Sequence, residues 1–200
     1  MDESQAKCLI EDMFTQSLTA HQRLLDDGSL INQVADLARL CAHELEAGGM
    51  IFFAGNGGSF ADAQHLAAEL TGTMGRRRPA LAGLALGTNN SSISAIGNDF
   101  GYQFTLSREL EGLARPGSVV VALSTSGNSP NILELAVRAR ELGVDVVGLT
   151  GASGGQLAEL CEVIRVPADR TERIQELHIL VGHTLCYLIE EFLDACLAPE

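Results

Sequence analysis

His65 and Glu69 stand four residues apart in a stretch with helical apolar spacing, residues 60–70. On a helix that spacing sets an imidazole and a carboxylate one turn apart on the same face. Such a pair can exchange protons with a ligand, can hold a metal ion, or can be a solvated surface contact, and the spacing alone does not choose. A second polar group, Gln175, Glu176, His178 and His183, falls in the last helical pattern, residues 172–197. His178 and His183 are five apart and face different directions, so at most one shares a site with the first pair and the other is a packing or surface histidine.

Two further segments are suited to holding an anion. Ser124-Thr125-Ser126-Gly127-Asn128-Ser129-Pro130 follows the apolar run 118–123. Ser129 can cap a following helix and Pro130 fits its first turn, so hydroxyls, free amides and a helix dipole converge where a phosphate would sit. The alternative is a Ser/Thr-rich turn with a good cap. No Lys follows in the pattern that cradles nucleoside triphosphates, which favours a monophosphate. Gly55-Asn56-Gly57-Gly58-Ser59 follows the run 50–54, and its glycines allow close backbone approach, with Ser59 and Asp62 spaced as a capping box. The alternative is a tight strand–helix turn. A dinucleotide fingerprint would need glycine where Phe60 stands and an acid where Gly87 stands, which argues against a nicotinamide cofactor.

Short apolar runs at 50–54, 81–86, 118–123, 145–150 and 163–166 are too short for helices and alternate with helical patterns at 60–70, 104–113 and 132–142. This alternation predicts a parallel sheet covered on both faces, a doubly wound α/β domain with five strands. Two helical patterns, 8–25 and 31–45, are separated by Asp26-Asp27-Gly28 and predict an N-terminal helical hairpin over residues 1–48. The α/β core then spans 49–200, closed by a long helix that ends at Pro199, all in one domain.

With 26 acidic against 13 basic residues the net charge is −13, which opposes binding to nucleic acid and to anionic membranes. Arg76-Arg77-Arg78 is the one dense basic run. No apolar stretch is long enough to span a bilayer, and the start, with Asp2 and Glu3, is unlike a secretory signal, so a cytoplasmic protein is expected. Cys8, Cys41, Cys161, Cys186 and Cys196 have neither metal-type nor paired spacing and read as reduced thiols.

Nearly the whole chain resembles one family. The stretches AGNGGSFADAQHLAAELTG (54–72), AIGNDFGY (95–102), ALSTSGNSPNI (122–132), LTGASGG (149–155) and RIQELHILVGHTLCYLIE (173–190) together are similar to the phosphoheptose isomerases of the sugar isomerase (SIS) fold. The resemblance implies a flavodoxin-like sheet and an aldose–ketose isomerase acting on sedoheptulose 7-phosphate, at the first step toward the nucleotide-activated heptoses of lipopolysaccharide. Carried over by position, substrate contacts fall on Asn56, Gly57, Gly58, Ser59, Asn98, Asp99 and Gln175, and phosphate contacts on Ser124, Thr125, Ser126 and Ser129. It further implies one zinc ion per subunit on His65, Glu69, Gln175 and His183, with Glu69 and His183 as the proton-transfer pair and His178 outside the set. Homotetramers with active sites between subunits are implied as well. On one straight helix Gln175 and His183 would be about 12 Å apart along the axis and about 80° apart around it. Either that helix starts after Gln175, or one ligand comes from another subunit.

The chain departs from the family pattern at Thr73, where many relatives carry arginine, at Asn89 for aspartate and at Gly83 for proline. These changes bear on the sugar and leave open an isomerase of another phosphorylated ketose. The rival from another class is a non-catalytic SIS adaptor for the bacterial replication initiator; such adaptors lose parts of the acid–base set that is intact here.

Overall fold

The computed structural model describes residues 1–197; the expected stop at Pro199 lies outside them, as does the side chain of Cys196. Helix α1, Glu3–Asp26, starts on a capping box in which Asp2 accepts from the Gln5 N–H at 2.8 Å and Gln5 Oε1 accepts from the Asp2 N–H at 3.0 Å. Helix α2, Gly28–Glu46, is capped by Asp27, whose carboxylate accepts from the N–H groups of Ser29 and Leu30. The hairpin therefore turns on one residue, Asp27, and Gly28 already belongs to α2 rather than to the break.

The remaining elements alternate: β1 Ile51–Ala54, α3 Gly58–Thr71, β2 Gly83–Ala85, α4 Asn90–Asp99, α5 Thr105–Leu113, β3 Val119–Leu123, α6 Pro130–Glu141, β4 Asp145–Thr150, α7 Leu157–Leu160, β5 Glu162–Arg165 and α8 Thr171–Leu197. All strand pairs are parallel, in the order β2-β1-β3-β4-β5. Every residue of β1 and β3 is buried because helices cover both faces. Successive side chains divide between two cores. Ile51, Phe53, Val119 and Val121 pack with residues of α2, α3 and α8, while Phe52, Ala54, Val120 and Ala122 pack with residues of α5 and α6.

In this strand order the chain leaves β1 for one edge and returns to β3 on its other side. The crevice at the carboxyl ends of β1 and β3 is thus the switch point at which ligands gather in open α/β sheets. Both anion-suited loops, 55–57 and 124–129, open onto it.

Three elements differ from expectation. β2 pairs over only three residues instead of the run 81–86. α4 was not anticipated: its NSSISAIGND sequence has no fully buried residue, with only Ile93 packing part-buried against the core, and it starts on Asn89, which accepts from Ser91 and Ser92 N–H, so capping rather than apolar periodicity defines it. α7 is a single turn, too short to leave a periodic signal. Among the described residues no helix is long and apolar enough to cross a membrane. The four cysteines whose side chains are described are free thiols, with Cys41 and Cys186 buried.

Candidate active site

Helix α3 starts at the crevice. Gly57 adopts φ +56°, a left-handed conformation that side-chain-bearing residues rarely take, and its carbonyl accepts from Phe60 and Ala61 N–H. The helix accordingly begins one residue before Ser59. Ser59 lies inside it and is buried, so the expected Ser59–Asp62 capping box does not form, and no side chain caps this end. Asp62 Oδ2 is buried without a hydrogen-bond partner. Burial raises the Asp62 pKa, opposed by the nearby imidazoles of His65 and His183.

One turn apart, His65 and Glu69 face α8, with His65 Nε2 at 3.2 Å from Glu69 Oε1. His183 of α8 completes a cluster: its Nε2 lies 2.7 Å from His65 Nε2, and the rings meet edge to face at 4.9 Å between centroids. One ligand atom from each of His65, Glu69 and His183 lies within 4.8 Å of the others. Two imidazole nitrogens directed at one another beside a carboxylate oxygen form a donor set that suits zinc, which takes nitrogen and oxygen ligands at about 2 Å. The close approach of α3 and α8 depends on Gly182, where a Cβ would collide with the Leu66 side chain.

Helix α8 runs unbroken from Thr171, so the option that it starts after Gln175 is excluded. Gln175 packs its amide on Gly58, where a side chain would meet its Nε2 and Cδ atoms. It is thereby placed at the glycine loop, two turns from His183 on the same helix. Within one chain the structure brings His65, Glu69 and His183 together, while Gln175 packs on Gly58. His178 points away from both into the core. It is fully buried, neither ring nitrogen makes a hydrogen bond, and burial lowers its pKa to about 4, countered slightly by the nearby Thr150 carbonyl.

The 124–129 loop is anchored on its outer side, where Gly127 O accepts from Leu157 N–H at 2.9 Å and Asn128 Oδ1 from Gln156 N–H at 3.0 Å. Ser124 is buried and its hydroxyl donates to Ser129 Oγ at 3.3 Å. Ser129 occupies the N-cap position of α6 and Pro130 its first position, but the expected hydroxyl cap is absent. Ile132 and Leu133 N–H donate to the Ser129 carbonyl and Pro130 has no N–H, so the first turn of α6 keeps the Asn131 N–H and the positive end of the helix for an anion. Thr125 is half-buried, and exposed Ser126 uses its hydroxyl to accept from Asn128 N–H. Asn98 and Asp99 are exposed at the end of α4, with Asn98 Nδ2 donating to Asp99 at 2.8 Å.

Sequence reasoning missed two sets of residues. Asn131 and Tyr102 bond the side chain of Asn56, and both fall inside the motif stretches without having drawn attention as polar side chains. Glu190 is buried at a helical core position, where an acid signals an internal partner. It accepts from Met74 and Gly75 N–H and from Arg78, and although burial works against its charge these donors hold its pKa below the usual range. Arg78 in turn donates to the carbonyls of Glu69 and Leu70 at 2.8 Å, capping the end of α3. Arg76 pairs with Glu191 and Asp194. Arg76 and Arg78 are therefore structural, and Thr73 is exposed with no arginine in its place.

A SIS domain family model matches residues 15–151. The phosphoheptose isomerase of Rhodospirillum rubrum is 52% identical over 83% of this chain and 89% of its own length. The solved phosphoheptose isomerase of Neisseria gonorrhoeae superposes with a TM-score of 0.84 at 39% identity, covering 93% of this chain and 99% of that one. For the Francisella tularensis phosphoheptose isomerase the TM-score is 0.86 at 32% identity, over 93% and 98% of the two chains.

Proposed function

This chain belongs to the SIS-domain family and, within it, to the phosphoheptose isomerases, sugar-phosphate isomerases of heptose metabolism; from that premise we propose that it converts sedoheptulose 7-phosphate to D-glycero-D-manno-heptose 7-phosphate. The observation that carries the mechanism is the meeting of Glu69 and His183, from two different helices, beside His65.

Ketose–aldose interconversion moves one proton between C1 and C2 and a second between the two oxygens, through a cis-enediol. Glu69 takes the proton from C1 and returns it to C2. His183 passes the oxygen-bound proton from O1 to O2 in the same sense, so that the charge on oxygen never builds up alone. The geometry supports this division. Glu69 meets His65 through Oε1, which leaves Oε2 for the carbon acid, and His183 meets His65 through Nε2, which leaves Nδ1. The phosphate is held by the hydroxyls and amides of Ser124, Thr125, Ser126 and Ser129 with the α6 terminus, and Asn56, Gly57, Gly58, Ser59, Asn98, Asp99 and Gln175 surround the sugar. Remote phosphate binding supplies positioning energy at the reacting carbons.

His65, Glu69 and His183 would hold a zinc ion, one per subunit, and when bound it supplies Lewis-acid polarisation of the carbonyl. Gln175, packed on Gly58, is the fourth ligand we propose, supplied by the same chain or by a neighbouring copy. A homotetramer is the assembly we propose, in the cytoplasm. The exposed apolar stripe of α1, where Phe14 and Leu18 are each 72% exposed, supports burial against another copy.

The deciding experiment is a turnover assay with sedoheptulose 7-phosphate on metal-stripped and zinc-restored protein. Activity that zinc restores is the expected result. No turnover in either form, with turnover of a different phosphorylated ketose, would replace the substrate and point to Thr73.

A further inference from the structure

Apart from Gln175 on α8, the residues expected to touch substrate lie on three separate segments: the glycine loop and first residues of α3 at 55–59, the end of α4 with the turn after it at 98–102, and the hydroxyl loop leading into α6. One side-chain cluster ties all three together. Asn56 Nδ2 donates to Asn131 Oδ1 and Asn131 Nδ2 donates back to Asn56 Oδ1, each at 2.9 Å. Tyr102 Oη donates to the same Asn56 Oδ1 at 3.0 Å. Asn131, the second residue of α6, is only 2% exposed, whereas Tyr102 is 60% exposed. Beside the cluster opens a cavity of about 200 Å³, lined by Asn56, Gly57, Phe60, Asn90, Tyr102 and Thr105 among others.

A primary amide has two N–H donors and two acceptor lone pairs. Both lone pairs of Asn56 Oδ1 and one of its N–H groups are engaged within the protein. Toward a ligand, Asn56 therefore keeps a single N–H and no acceptor. We infer that Asn131 is a positioning residue of the sugar-phosphate site: it turns the Asn56 carbonyl inward, makes Asn56 a fixed donor to ligand oxygen, and locks the glycine loop to the first turn of α6, with Tyr102 as the second lock. Loops held in place before the ligand arrives lose no freedom on binding, so the clasp acts on affinity. Asn131 touches neither Glu69 nor His183, and the chemical step should be largely unaffected. This inference rests on the isomerase reading above.

Asn131→Asp keeps the shape but sets a carboxylate oxygen against Asn56 Oδ1. Turning the Asn56 amide over only sets its oxygen against the other carboxylate oxygen and takes the acceptor from Tyr102, so the reciprocal pair is lost in either orientation. The expected result with sedoheptulose 7-phosphate is a KM raised about tenfold or more with kcat within about threefold of wild type. Tyr102→Phe removes one hydrogen bond and should raise KM about threefold; its exposed ring keeps the test readable if Asn131→Asp does not fold. Calorimetric titration with inorganic phosphate needs no turnover and should show about fivefold weaker binding in Asn131→Asp. A wild type inactive on the heptulose phosphate overturns the isomerase reading, and the phosphate titration then decides the clasp by itself. Unchanged phosphate affinity in the folded variants overturns the clasp, as does a fall in kcat with KM unmoved.

Discussion

Helix α3 meets two kinds of chemistry along its length. At its start, the glycine loop and the neighbouring 124–129 loop offer only amides, hydroxyls and backbone N–H groups, with no titratable side chain among residues 55–58 and 124–129. One to three turns on, the same helix carries Asp62, His65 and Glu69 toward α8. From Gly58 to His65 is seven residues, about 10 Å along the axis. On the proposed reading the contrast separates two tasks: neutral donors on loops would hold an anion whose charge needs no partner that titrates, while groups that would gain and lose protons sit on packed helices. Damage to one region should therefore read out differently from damage to the other.

The largest effect should come from the helix region. Glu69→Gln and His183→Asn are each expected to lower kcat by about 10²–10⁴-fold with little change in folding, since each removes a proton carrier and little packing. Circular dichroism checks the fold, and turnover within about tenfold of wild type would break the assignment. Mixing and reassembling the two variants adds a sharper question. Because both residues belong to one chain's cluster, no mixed assembly contains an intact site, and restored activity would show that the acting pair spans two chains.

His178 lies on α8 between the two regions, and its effect is on stability. Its pKa is about 4 in the folded protein against about 6.5 in an open chain, so the unfolded chain binds the extra proton first. The stability gained from keeping it neutral is complete above about pH 6.5 and is lost as pH falls toward 4, roughly 3 kcal/mol in all. His178→Leu should flatten that limb. Urea unfolding at neutral and mildly acidic pH measures it, and equal losses in both proteins would count against the buried neutral histidine.

The smallest effect belongs to the loops. Ser124→Ala with Ser126→Ala should raise KM about tenfold and leave kcat close to wild type, the reverse of the helix variants. Unchanged affinity for the phosphorylated sugar would move the anion elsewhere.

The sheet was legible because β1 and β3 are buried on both faces, and such strands are short, unbroken apolar runs. α4 was not, because capping and polar residues define it, and one part-buried Ile93 leaves little periodicity to read. The His65–Glu69 pair could be read from spacing, but its meeting with His183 is a contact between residues 118 apart that no local pattern contains. Resemblance supplied that link. The distance argument for Gln175 and His183 was sound as geometry, and the structure bears out its premise by running α8 straight through both. The roles of Arg78 and Glu190 escaped the sequence because a basic run looks alike whether its arginines face solvent or cap a helix end.

Gly182 carries no chemistry, yet α3 and α8 touch through it, with Leu66 filling the space a side chain would take. Every other amino acid adds a Cβ there. For heritable variation, this makes position 182 a hidden constraint: any side chain sets a Cβ about 2.5 Å from Leu66 Cδ1, so either the buried Leu66 repacks or the helices part and His183 shifts relative to His65, with each functional group left intact. A lineage could thus weaken the activity through a residue that an inventory of reactive side chains would pass over, and a smaller side chain at position 66 would be one compensation.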